Sequence, residues 1–252
     1  MSRAAQVLLG SVVSVWRYPV KSMKGEELNV ADITEAGLLG DRAYALLDTS
    51  TGKVASAKNP RKWAKLLEFQ ATFAQPARSR KKIPPVRITL PDGTIVGSEQ
   101  SDINQVLSGV LGRDVRLITM PPKAAKFEEY WPDIDGLAHR ETVTDEPMGV
   151  GAPAGTFFDL AAVHLLTTAT LDRLRDLQPE GHFEVRRFRP NVCLRRRATR
   201  SSRNPRSSSS PAETCFVMFP ATGSRLLPRK YSERGHSLSP SRSTLRLLLA
   251  AS

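Results

Sequence analysis

The stretch "VVSVWRYPVKSM", residues 12–23, opens with β-branched and aromatic residues in near alternation and closes on Tyr18-Pro19. Proline removes a backbone donor and biases the residue before it to extended backbone, so this is a strand from Val12 to Arg17 that runs into a loop carrying Lys21 and Ser22. The text that follows has the same character. "ELNVADI" and "RAYALLD" alternate, "STGKV" supplies a hairpin turn before "VASAK", and "VRITLPDGTIVGS" sets Pro91, Asp92 and Gly93 between two apolar runs. Many short strands joined by short connections argue against a doubly wound sheet. They predict an α+β, β-rich chain with a barrel-like arrangement of strands.

Two helices interrupt this pattern. In "SDINQVLSGVLGR", Ser101 or Asp102 is the N-cap, Ile103, Val106, Leu107, Val110 and Leu111 recur at helical spacing, and Gly112 is the stop. "DVRLITM" then closes the unit as a strand. In "HLLTTATLDRLRDLQPEG", Thr167 or Thr168 caps a helix with a stripe of Leu171, Leu174 and Leu177, and Pro179 and Gly181 end it. Residues 121–155 are rich in proline, glycine and charge and read as an irregular connection. "FEVRRFRPNVCL" reads as a loop entering a strand.

The text changes at Arg195. From there to Ser252 the chain holds 11 Arg and 13 Ser, with only "CFVMF" and "LRLLLAA" as apolar runs. Such a composition cannot bury enough apolar surface to offset the entropy of ordering, so the tail is expected to be disordered. Charge follows the same boundary. Residues 195–252 carry 12 Lys plus Arg against 2 Asp plus Glu, whereas residues 1–194 carry 25 against 23. Of the net charge of +12, +10 therefore belongs to the tail, and the charge does not mark the folded part as a nucleic-acid binder. The tail's few aromatics, Phe216, Phe219 and Tyr231, are too sparse for a base-stacking platform. A change of reading frame near Arg195 in a GC-rich gene accounts for the composition; a true basic extension is the other account.

Two cysteines, Cys193 and Cys215, form no disulfide framework, and a reducing cytoplasm is the expected compartment. Gly10, Ser11 and Ser14 break up the apolar N-terminus, which reads as a first strand rather than a signal peptide. No run of 18 apolar residues occurs, so no membrane span is expected. Nor is there a Gly-rich phosphate loop or a His/Cys metal cluster.

Three polar clusters sit in loops beside strands: Lys21 with Ser22, Asp41 with Arg42, and Arg186, Arg187 and Arg189 with Asn191. Guanidinium forks and an ammonium converging on one pocket suit a phosphate or another compact dianion. Any one of them alone is more simply a solvated surface charge. The Thr167 hydroxyl at a helix start could join an anion site or serve as an ordinary cap. His164, between apolar neighbours, reads as a packed strand residue. Trp16, Trp63 and Trp131 read as core or loop anchors.

In order along the chain, "YPVKSM", "GLLGDRAYALLD", "HLLTTATL" and "FRPN" resemble the MOSC family, relatives of the C-terminal domain of molybdenum-cofactor sulfurase, with the β-barrel domain that precedes it in many members. The resemblance spans Val12 to Leu194. It implies an N-terminal β-barrel-like domain over residues 8–120, an incomplete MOSC β-barrel domain over 121–194, and a basic low-complexity tail over 195–252, disordered or out of frame. In members similar to the amidoxime-reducing component, it implies that Lys21, Ser22, Arg42, Arg189 and Asn191 hold the phosphate and pterin of the molybdenum cofactor (molybdopterin), with Thr167 added from the helix start. The implied activity is reduction of N-oxygenated small molecules, or sulfur transfer, fed by a ferredoxin-like protein or flavin reductase, without specific nucleic acid or membrane. The family's metal-binding cysteine falls where this chain turns to Arg and Ser, and Cys215 has no matching context. No metal ligand or catalytic residue is therefore assigned, and a catalytically defective protein with a partial cofactor cradle and a non-specific basic tail is the alternative.

Overall fold

Pro19 ends the first strand, β1 (Gly10–Arg17), as its missing donor requires. The chain then turns through Lys21 and Ser22 into β2 (Glu26–Leu28), which pairs back on β1 with Val15 opposite Leu28. The computed structural model describes residues 10–78, 82–136, 141–153, 155–196 and 245–248. β3 (Val30–Thr34) and β4 (Gly37–Leu38) form a tight hairpin, and β5 (Ala45–Asp48) follows the loop that carries Asp41 and Arg42. The short helix α1 (Pro60–Trp63), with proline in its first turn, continues as a 3-10 helix over Ala64–Glu68. β6 (Gln70–Phe73), β7 (Val86–Thr89) and β8 (Ile95–Gly97) make a three-stranded meander. The expected turn at Pro91-Asp92-Gly93 joins the last two strands, with Gly93 at φ 88 and the Leu90 amide donating to Thr94 at 2.8 Å.

The helix expected from "SDINQVLSGVLGR" is α2 (Ile103–Leu111), stopped by Gly112 in the left-handed conformation. β9 (Val115–Ile118) pairs with β5. These elements enclose the main core, in which Trp63, Phe69, Ile88 and Leu107 are buried with Met23 and Val20 from the loop after β1. Among the described residues the strands fall into five hydrogen-bonded sheets, and no ladder closes on itself. The expected α+β, β-rich character holds, while no closed barrel forms among these residues. Single bridges such as Val20 to Tyr44 and Lys24 to Gln70 add pairing outside the ladders.

The segment expected to be irregular contains a hairpin. β10 (Lys126–Trp131) and β11 (Thr142–Pro147) pair from Lys126 opposite Pro147 to Trp131 opposite Thr142. Its acidic and lysine residues hide the strand pattern, and Phe127 alone is fully buried there. β12 (Leu165–Thr167) leads directly into α3 (Thr168–Leu177), and α4 (Val185–Phe188) precedes β13 (Val192–Arg196). One sheet has the order β12-β13-β1-β2, with β13 parallel to β12 and antiparallel to β1. The first strand of the chain thus lies beside the "RPNVCL" strand, which brings the sequence's distant polar loops together at one end of the sheet's two central strands. β14 (Leu245–Leu248) pairs antiparallel with β3, from Leu245 opposite Ile33 to Leu248 opposite Val30. That short strand lies within the tail expected to be mostly disordered. Arg195 and Arg196 end β13, and residues 197–244 and 249–252, Cys215 included, lie outside the described residues.

Candidate functional site

The loop after β1 is fixed by main-chain bonds before any side chain is considered. Tyr18–Lys21 runs parallel to Arg42–Tyr44: the Arg42 amide donates to Tyr18 at 2.7 Å, Tyr44 to Pro19 at 2.9 Å, and Lys21 to Tyr44 at 2.8 Å. Asp41 then ties three segments together. Its carboxylate accepts from the Tyr18 amide at 2.7 Å, from Asn191 Nδ2 at 2.9 Å, and from the Arg42 guanidinium. Asn191 completes its bonding by donating to the Trp16 carbonyl at 3.3 Å and accepting from the His164 amide at 3.0 Å. The two loops expected to form a site, around Lys21 and Arg42, and the "RPN" turn are therefore one connected unit.

This unit opens on a cavity of about 120 Å³ lined by Lys21, Arg42, Asn191, Asp159, His164 and the aromatic pair Phe157 and Phe158. Lys21 and Asn191 are 5% and 1% exposed, which removes the reading of these residues as solvated surface groups. Lys21 forms an ion pair with Asp159, and its ammonium lies 5.2 Å from the centre of the Phe127 ring. Burial holds the Lys21 pKa below the ordinary lysine value, a shift that Asp159 opposes only in part and that Arg42 and Lys58 reinforce. Burial alone would raise the Asp159 carboxyl, but Lys21, with Lys58 and Arg42 beyond it, more than offsets this and holds it below the usual carboxylate range. His164 is also held low, by burial and then by Arg42, so its neutral form is favoured. It lines the cavity rather than simply packing ahead of β12.

Arg189 sits behind Arg42. Both guanidinium groups stack on Tyr18, with their central carbons 4.4 and 4.6 Å from the ring centre, and Arg42 donates to the Arg189 carbonyl at 3.4 Å. Arg189 itself donates to the Met23 carbonyl. Its pKa is pulled down to about 10 by burial and by Arg42. Burial lifts the Tyr18 phenol to about 12, against the pull of the two arginines, and its hydroxyl donates to Pro190 at 3.2 Å. Gly25 permits this packing. A Cβ there would stand 2.1 Å from the Arg17 carbonyl and 2.7 Å from the Tyr18 ring.

Ser22, Arg42 and Arg189 share a backbone feature that their sequence does not announce. All three adopt left-handed conformations, at φ 65, 46 and 52, among only five non-glycine residues that do so in the described chain. Each such residue costs on the order of 1 kcal/mol, and strained positions of this kind cluster at functional sites.

Of the six expected site residues, Lys21, Arg42 and Asn191 line the cavity and Arg189 abuts it. Ser22 and Thr167 use their hydroxyls internally. Ser22 Oγ accepts from the Ala57 amide at 3.0 Å, and Thr167 Oγ1 accepts from the Thr170 amide at 3.1 Å as the N-cap of α3. Asp159, Tyr18 and His164 were not among the expected site residues. Only the "YP" step next to the lysine loop pointed toward Tyr18, and nothing in the sequence linked Asp159 to Lys21 across 138 residues.

Residues 9–113 match the family model of the MOSC N-terminal beta barrel domain. That region of the chain is similar to a MOSC N-terminal domain. That match covers β1, the lysine loop, the Asp41-Arg42 turn and the main core, so Lys21, Ser22 and Arg42 lie inside it while Asp159, His164, Arg189 and Asn191 lie beyond it. No curated protein matches this chain.

The donor set of the cavity fits the phosphate end of a molybdenum pterin cofactor. It brings one ammonium and one guanidinium to a space large enough for a phosphate, with a second guanidinium behind them. It does not hold the whole group, since pockets for complete organic ligands run to about 300–1,000 Å³. No set of three or more His, Cys, Asp or Glu side chains able to hold a metal occurs among the described residues. Cys193 is fully buried in β13, and burial raises its thiol pKa, so it is not poised as a thiolate. Nor is any helix among the described residues long and apolar enough to cross a membrane.

Proposed function

We propose that the cavity beside β1 and β13 holds the phosphate of a molybdenum pterin cofactor, and that the chain is a molybdenum-cofactor-binding MOSC protein. The observation that carries this is the convergence of Lys21 and Arg42 on one cavity, backed by Arg189, from loops whose left-handed residues commit them to that geometry. Lys21 contributes a buried ammonium whose burial cost its ion pair with Asp159 offsets only in part, and Arg42 contributes a fork already aligned by Asp41 and Tyr18. Asn191 does not reach outward. Its side chain is fully engaged in fixing Asp41 and the backbone on both sides of the cavity.

When bound, the cofactor supplies two-electron oxo or sulfur transfer at its metal, and reduction of N-oxygenated small molecules is the reaction implied by the likeness to the amidoxime-reducing component. A ferredoxin-like protein or flavin reductase as electron donor, and a cytoplasmic setting, belong to that same reading. A second reading, a protein that grips the phosphate end without turning over substrate, is favoured by Cys193: it is buried in β13, the strand between β1 and β12, and lines no part of the cavity.

Two measurements separate these readings. Calorimetric titration with inorganic phosphate tests the cavity, and Arg42→Met should weaken that binding by about tenfold or more, the value of one charge-assisted contact. Molybdenum per chain, measured by mass spectrometry on protein purified from cells that make the cofactor, tests the larger assignment. Phosphate binding that Arg42→Met leaves unchanged would remove the cavity from the proposal.

A further inference from the structure

The cavity is lined by Lys21, Arg42, Asn191 and His164 and by one carboxylate, Asp159, which takes the lysine. Asp159 reaches Lys21 from a short segment whose neighbours Phe157 and Phe158 are buried and whose own carbonyl accepts from the Gly149 amide at 3.1 Å. The two partners differ in freedom. Lys21 is 5% exposed and anchored through its amide to Tyr44, whereas the Asp159 side chain is 30% exposed and, among the described residues, its carboxylate bonds to Lys21 alone. Asp41, the other carboxylate near Arg42, is different in kind: it is fully enclosed and holds the Tyr18 amide and Asn191 as well, so it cannot leave.

Resting on the phosphate-site reading, we infer that Asp159 is a built-in competitor, a carboxylate of the chain itself that occupies the anion position on Lys21 and must swing toward solvent before an external anion binds. The consequence is selectivity. With Asp159 in place, the local charges of Lys21, Arg42 and Arg189 are offset by Asp41 and Asp159 to a net of about one positive charge, and a monoanion gains little by replacing one carboxylate with another. A phosphate dianion brings twice the charge and several acceptor oxygens, and it can reach Lys21 and Arg42 together. Asp159 therefore makes the cavity a site for phosphate esters rather than for carboxylates or halide, and it gives Lys21 a partner while the site is empty, which a buried ammonium needs.

A positioning role for Asp159, in which it aims Lys21 at the ligand, makes the opposite prediction, so one titration separates them. Inorganic phosphate is titrated into the full chain, the Asp159→Asn variant and the Asp159→Ala variant, with thermal melting used to show that each is folded. The competitor predicts that both variants bind phosphate about tenfold or more tightly than the parent. It also predicts that acetate, which reproduces the missing side chain, competes with phosphate in Asp159→Ala and does not in the parent. Phosphate affinity that is equal or weaker in both variants overturns the competitor while leaving the anion site intact. Failure of all three proteins to bind phosphate overturns the site itself, and the competitor with it.

Discussion

Asn191 Nδ2 donates to Asp41 Oδ2 at 2.9 Å across 150 residues of sequence, and both side chains are buried. The bond joins the turn before β5 to the entry of β13, and through Asp41 it reaches the Tyr18 amide and the Arg42 guanidinium. A buried amide that satisfies three partners at once cannot be removed cheaply. Each partner left without a bond costs about 1–3 kcal/mol, and relaxation of the surroundings recovers part of it.

Asn191→Ala should therefore lower the unfolding free energy by about 2–4 kcal/mol in urea titration, and Asn191→Asp by more, because it would set a second carboxylate against Asp41. It should weaken phosphate binding as well, although Asn191 offers the ligand no free donor. A loss below about 1 kcal/mol would mean that the Asp41 hub does not depend on this contact.

Acid sensitivity is expected from a different carboxylate. Asp48, buried at the end of β5, accepts from Ser50 Oγ at 2.6 Å and pairs with Lys62 at 2.7 Å. Burial would raise its pKa, but the bonds to Lys62 and Ser50 win and bring it down to about 2. The folded value lies below the unfolded one, so this group stabilises the fold above the ordinary carboxylate range and the contribution is lost as pH falls from about 4 toward 2. The urea midpoint of the parent should fall across that window by the equivalent of about 1–2 kcal/mol. In Asp48→Asn the midpoint should start lower at neutral pH and change less on acidification. Equal acid slopes in the two proteins would assign the sensitivity to other carboxylates.

Which parts of this site were legible follows from how local each signal is. Lys21, Arg42 and Asn191 were recognisable because each follows or precedes a strand whose alternation or proline marks its end, and the four short motifs occur in a fixed order. Gly93 and Gly112 were legible as turn and cap because a positive φ leaves few alternatives. Asp159 was not legible, since "TFFDLAAVH" has neither period and its ion pair spans 138 residues. The hairpin of β10 and β11 was hidden by charges that pair with lysines outside it, Asp145 with Lys53 and Glu129 with Lys58, and so look like solvated text until the fold is known. Leu245–Leu248 pairs with β3, a partner more than 200 positions earlier that no local pattern specifies.

Lys21 itself gives the sharpest test of the cavity's electrostatics. Its pKa lies below the ordinary value of 10.5 because burial outweighs Asp159, with Arg42 and Lys58 adding like charge. The folded value being the lower one, the charged form costs stability at neutral pH, and that cost disappears as pH rises through the lowered value. Ligand binding runs the other way. An anion needs the charged form, so phosphate affinity should decline as pH climbs into the alkaline range, before a solvent-exposed lysine would lose its proton. Lys21→Arg keeps the charge to higher pH, because a guanidinium starts from a higher ordinary value than an ammonium. Phosphate dissociation constants measured between about pH 7 and 10 should rise for the parent and stay flatter for Lys21→Arg, whatever the starting affinity of the variant. Parallel curves would show that Lys21 is not the group the anion meets, and Arg42 with Arg189 would then have to hold it alone.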